Sequence, residues 1–208
     1  MIIRGLTKDA EAILSAVNLF GCVDYNQLTY FIDSPKKKDS TGTPYPVSIA
    51  NHLVASKQAM RDGDTLCSRK EKVRNMKMID SIWGMLYLLS NDGIDESPAE
   101  KIKENAQRGG RYCTIEMFLA GTTWVKFLPC YNSNDVMAVL AAQENYEIIM
   151  EGAKEKHRLP TEYYLVTRNQ EAIAELSKYQ LTLPVSLMYL QGDDGEQPTI
   201  KIGRLKKA

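Results

Sequence analysis

The sequence predicts an α+β chain, with a helical front closed by a small basic hairpin and a small mixed α/β sheet domain behind it. Three observations predict this. Between Leu6 and Lys77, three apolar stripes at helical spacing precede a short, cation-rich stretch. From Tyr112 onward, strand-like runs bounded by turn residues alternate with helical ones. Between the two lies residues 76–90 (MKMIDSIWGMLYLLS), where Ile79, Ile82, Trp83, Leu86 and Leu89 fall at helical spacing and predict a buried connecting helix. A chain of 208 residues suits one large domain or two small ones, and 44% hydrophobic residues suffice for a core. The expected division is 1–78 and 79–208, the second part opening with the connecting helix.

In the front, residues 9–20 place Ala10, Ile13, Leu14 and Val17 on one stripe, and Gly21 stops the helix. Asp24 caps a short helix to Ile32, with Leu28, Phe31 and Ile32 inward. Residues 34–46 (SPKKKDSTGTPYP) read as a loop, since three prolines, a glycine and a lysine triplet rule out regular structure. Residues 47–60 (VSIANHLVASKQAM) form a third amphipathic helix with Ala50, Leu53, Val54 and Met60 on its apolar face. Residues 65–67 and 72–74 then pair around Ser68-Arg69-Lys70-Glu71. Helix, short helix, helix, hairpin is the order of a winged helix.

In the back, proline at Pro98 opens a short helix. Residues 112–119 and 123–128 form a hairpin around Ala120-Gly121-Thr122, and residues 133–156 a long helix with Val136, Val139, Leu140, Tyr146, Ile149 and Met150 on its apolar side. A strand follows at 162–167, and Asn169 caps a helix over 170–179. The strands 185–190 and 199–202 are joined across Gly192-Asp193-Asp194-Gly195. The order is β-β-α-β-α-β-β. Gly84, inside the connecting helix, costs about 1 kcal/mol of propensity against alanine, which a close helix contact would justify.

Charge is balanced overall, with 26 basic and 26 acidic residues, so the molecule is no polycation. It is not evenly spread: residues 1–78 hold 12 Lys/Arg against 8 Asp/Glu, and residues 79–208 hold 14 against 18. A basic front and an acidic back can orient a protein on a polyanion, and a swing of this size also arises by chance. Cys22, Cys67, Cys113 and Cys130 form no C-x-x-C pair and read as free thiols in a reducing compartment. With only His52 and His157 as further soft ligands, no metal site and no cofactor are expected. No apolar h-region follows Met1, and the run 82–89 is too short to span a bilayer, so a cytoplasmic protein without membrane contact is expected.

Two chemistries are weighed. For DNA binding, the outward side of the third helix offers Ser48, Asn51, His52, Ala55 and Gln58, and Asn and Gln can bond adenine bidentately in the major groove. Lys57, Arg61, Arg69, Lys70, Lys72, Arg74 and Lys77 flank it as phosphate contacts, which give affinity and register rather than sequence choice. The bland reading is a set of solvated charges on a module that contacts protein. For nuclease chemistry, a (D/E)-x-K triplet would supply a metal-holding carboxylate and a lysine. The strand 123–128 has Trp124-Val125-Lys126, with tryptophan where the carboxylate belongs; Glu116 on the preceding strand faces the same side as Lys126. One acid and one base is a cross-strand ion pair, not a metal site. Nucleotide-binding glycine loops are absent: Gly109-Gly110 reads as a flexible turn.

Leu6-Thr7-Lys8-Asp9, Leu14, Phe20-Gly21, Gln27-Leu28 and the run Arg61-Asp62-Gly63-Asp64 leading to the wing carry a resemblance. In them the front resembles winged-helix proteins of the replication-relaxation type from bacterial mobile elements. Ile79-Asp80-Ser81-Ile82-Trp83 and the hairpin from Tyr112 look like the second part of uncharacterised gut-bacterial relatives. The resemblance implies an endonuclease-like α/β domain with an eroded active site. It departs at the 13-residue 34–46 loop, longer than the usual connection. Together these observations predict a non-catalytic DNA-binding protein, regulatory or accessory to replication or mobilisation of a mobile element, with duplex DNA as partner. The alternative is a protein-interaction module, binding another protein or a second copy, whose winged helix no longer holds DNA.

Overall fold

The computed structural model describes residues 6–33, 38–92, 96–119, 121–152, 160–193 and 196–204. The fold is mixed α and β, with two sheets. Helix α1 (Lys8–Phe20) is capped by the Thr7 side chain on Ala10 N and ends at Gly21, whose φ of +87° lets the chain reverse. Strand β1 (Cys22–Asp24) follows directly; its three residues are fully buried and too few to show a period in sequence. The predicted short helix is a 3₁₀ helix, Tyr25–Phe31. Asp24 accepts Asn26 N, while the Gln27 side chain accepts Asp24 N and donates to Ile79 O at 2.7 Å.

The third front helix is where sequence and structure differ most. Helix α2 is Tyr45–Ala55, so Tyr45 and Pro46 belong to it and Gln58 and Met60 do not. Proline suits the first helical turn. Of the predicted loop, residues 34–37 lie outside the described residues. Its remainder folds tightly, with Asp39 Oδ1 accepting Thr41 N and Thr43 N. The helix ends in a reversal in which Lys57 N bonds Val54 O, Gln58 N bonds Leu53 O, and Lys57 stands at φ +58°. This is a Schellman end built on lysine instead of glycine. Nothing in Ala55–Ser56–Lys57–Gln58 announces it, so the helical stripe runs on in sequence while the chain turns.

The hairpin therefore lies earlier than predicted. Strand β2 (Ala59–Asp62) pairs antiparallel with β3 (Thr65–Ser68), Asp62 opposite Thr65, across Gly63-Asp64 with Gly63 at φ +58°. β1 joins on the other side of β3, giving sheet order β1-β3-β2. Residues 72–74 are not a strand: Lys72 N bonds Ser68 O, and the chain doubles back so that Arg74 N reaches Asp62 at 2.8 Å.

Helix α3 (Met76–Asn91) is the predicted connector, buried along nearly its whole length. Helix α4 (Pro98–Asn105) leads into β4 (Ala106–Arg108), a strand absent from the sequence reading. Then come β5 (Ile115–Leu119), β6 (Thr123–Pro129), α5 (Ser133–Gly152), β7 (Thr161–Thr167), α6 (Gln170–Leu176), β8 (Val185–Gln191) and β9 (Thr199–Arg204). They make a six-stranded sheet in sequence order, parallel at β6-β7-β8 and antiparallel elsewhere. Strand alternation sends Val125, Phe127 and Val166 toward α3, and Leu128, Tyr163 and Leu165 toward α5 and α6. One apolar cluster runs unbroken from Ile13 and Leu53 through Ile79 and Ile82 to Phe127 and Met188. The predicted apolar side of the long helix holds for Val136 and Val139, whereas Ile149 and Met150 are exposed; residues 153–159, with His157, lie outside the described residues, as do Ala120 and residues 194–195 of the last turn. The predicted 170–179 helix stops at Leu176. Gly109 does more than flex: a Cβ there would stand 2.4 Å from the Cys113 carbonyl oxygen. No described helix is long and apolar enough to cross a membrane.

Candidate nucleic-acid interface

The outward face of α2 follows from its period. Ile49, Ala50 and Leu53 are buried, which leaves Asn51, His52 and Ala55 exposed and Ser48 half-buried. Helix α2 itself packs against β2. The cations predicted as one wing divide in the structure. The ladder closes at Ala59 opposite Ser68, so Gln58 and Arg69 are the next residues out on the two strands. Lys57, half-buried Gln58, Arg69, Lys70 and Lys72 thus gather at the base of the hairpin, by the C-terminal end of α2. Arg61 lies toward the tip, where its side chain bonds Gly63 O at 2.8 Å, pairs with Asp64 at 3.5 Å and covers the Tyr25 ring at 5.1 Å.

Arg74 turns inward. It is half-buried, and its Nε is a buried atom without a hydrogen-bond partner, as are Asp24 Oδ2 and Thr65 Oγ1. Burial pushes the Asp24 carboxyl up, and the Arg74 charge partly offsets this. Arg74 therefore belongs to the packing beneath the hairpin. Lys77 is likewise engaged, bonded to Asp135 of α5. Glu71, the one acid among the base cations, is taken by Arg108 at 2.7 Å.

The structure does bring Glu116 and Lys126 together. They are directly opposite on β5 and β6, 3.1 Å apart, on the side of the sheet that carries α5. Gln107 Nε2 and Cys113 Sγ also donate to Glu116, at 3.2 Å each. Burial works against the carboxylate, but the bonds from Cys113 and Lys126 outweigh it and hold Glu116 below its usual range. The same pairing, against burial, holds Lys126 above its own. Both oxygens of the acid are thus engaged by protein donors, Oε1 by Lys126 and Cys113 and Oε2 by Gln107. Among the described residues no group of three or more His, Cys, Asp or Glu stands close enough to hold a metal. The four cysteines are free, with Cys113 half-buried and the others buried; burial pushes the Cys67 thiol up to about 12 and those of Cys113 and Cys130 to about 11.

Sequence reasoning missed a second polar centre altogether. Asp80 on α3 is fully buried and takes Arg168 through two bonds, 2.8 Å from Nε and 2.9 Å from Nη2. The Tyr131 hydroxyl also donates to it, and burial beside Asp80 pushes that phenol up. Arg168 Nη1 continues to Gly192 O at 2.7 Å. The centre ties α3 to the ends of β6 and β7. A lone acid in a greasy helix was the available signal.

No protein-family model matches the chain, and no curated protein or solved structure matches it.

Proposed function

We propose that the first six elements are a winged helix and that the chain is a non-catalytic DNA-binding protein. The observation that carries this reading is the order β1-β3-β2 laid against α1, the 3₁₀ helix and α2, with exposed cations at the end of α2. In a winged helix the third helix enters the major groove and the hairpin lies beside it. Asn51 and His52 would meet base edges, and the cations phosphates. If the resemblance noted in the sequence holds, the activity belongs to regulation or replication of a mobile element. The Glu116 cluster supports a non-catalytic second half, because its carboxylate is already occupied by three protein donors.

The test is a titration of labelled duplex with the full chain. Binding is expected to weaken steeply with salt, and Asn51→Ala to change which sequences are preferred by about 1–3 kcal/mol at one base position. The same preparation with magnesium or manganese should leave plasmid uncut. No binding at low salt, or metal-dependent cutting lost in Glu116→Ala, defeats the proposal. A second reading, contact with a protein partner, is favoured by one feature: Ile148, Ile149 and Met150 are exposed together on α5.

A further inference from the structure

Resting on the DNA-binding reading above, we infer that the duplex backbone is held at the base of the β2-β3 hairpin, by Lys57, Arg69, Lys70 and Lys72, and that the hairpin tip stays off the DNA. The two ends carry opposite charge. At the base, four exposed cations have no carboxylate paired with them among the described residues, and their acidic neighbour Glu71 is bound to Arg108. At the tip, Asp62 and Asp64 outnumber the one exposed cation, Arg61, which already pairs with Asp64, while Asp62 accepts the Arg74 backbone N–H. The ends are a four-residue strand apart, about 10–13 Å. That exceeds or equals the Debye length of about 8–10 Å at ordinary salt, so a phosphate near one end scarcely feels the other. A backbone approaching this edge is attracted at the base and repelled at the tip.

Position agrees with charge. The base adjoins the C-terminal end of α2, with Lys57 two residues beyond Ala55, so phosphates held there lie beside the groove that the helix would read. Lys57 and Lys72 are both fixed in left-handed backbone, at φ +58° and +65°, and each is locked by a hydrogen bond from its own N–H, to Val54 O and Ser68 O. The cations thus spring from a rigid platform rather than a loose loop, which reduces the ordering cost of binding. The tip that a sequence reading takes as the lead-in to the wing is, on this inference, a spacer.

Salt titration of the full chain on a labelled duplex tests this, with fluorescence anisotropy as readout. In the base variant, Arg69→Ala and Lys70→Ala are combined with Lys57→Asn and Lys72→Asn, because asparagine tolerates the left-handed backbone. The variant should flatten the log–log salt slope by about 3–4, near 0.9 per lost phosphate contact. Asp64→Asn, which releases Arg61, should leave the slope unchanged. Bound duplex should shield Lys57, Lys70 and Lys72 from acetylation and leave Lys8 exposed. Matching circular dichroism melts establish that each variant is folded. A wild-type slope in the base variant, or a steeper one in Asp64→Asn, overturns the docking inference alone. A wild type that binds no duplex at low salt overturns the DNA-binding reading and this inference with it.

Discussion

Asp80→Ala is expected to lower stability by about 3–5 kcal/mol, the cost of breaking a buried ion pair by removing one partner. The side chain is fully buried, while Arg168 is 17% exposed, so the guanidinium left behind recovers little hydration. The Tyr131 hydroxyl loses its acceptor as well. For a chain of this length the loss corresponds to a drop of roughly 6–20 °C in melting temperature, read by circular dichroism. Arg168→Lys should cost less, since one charge–charge contact survives although the two-pronged geometry does not. A loss under about 1 kcal/mol in Asp80→Ala would mean that the pair behaves like an exposed one.

Phe127→Ala should be comparably severe, at about 3–5 kcal/mol. The ring is fully buried, stacks on Tyr164 at 6.0 Å between centroids, and abuts α3 at Gly84. A Cβ on Gly84 would lie 3.3 Å from the ring and 3.0 Å from Met188 Sδ. Gly84→Ala alone therefore sets about 1 kcal/mol of helix propensity against crowding and should change stability little. In the Phe127→Ala background the crowding is gone and the added methyl enters the cavity. The double variant should then be more stable than the sum of the singles predicts, by about 0.5 kcal/mol or more. Additivity in denaturant titrations would show that α3 and β6 relax independently.

Where periodicity and capping residues spoke, the sequence located elements within a few residues: α1 with its glycine stop, the Asp24 cap, α3, and the strands β5 to β9. What it hid was decided by backbone turns without a turn residue. The lysine-built ends at Lys57 and Lys72 displaced the hairpin by one strand, and with it the meaning of Arg69 and Lys70. The three-residue strands β1 and β4 were too short to carry a period; tertiary pairing makes them strands. For the candidate site, the exposed side of α2 was legible because burial at Ile49, Ala50 and Leu53 fixes its opposite face. The inward turn of Arg74 was not, since it depends on where Asp24 and Thr65 come to rest. The Asp80–Arg168 pair joins residues 88 apart in sequence, beyond any local pattern.

Lys57 has a consequence of its own. A side chain in left-handed backbone costs about 1 kcal/mol or more that glycine avoids. Folding by itself thus favours glycine at this position, and electrostatics favours lysine. Lys57→Gly should raise the melting temperature by about 2–4 °C for each kcal/mol relieved and, on the proposed docking of duplex at the hairpin base, lower duplex affinity. One substitution would then move stability and affinity in opposite directions, which marks the end of α2 as a place where the chain trades robustness for charge.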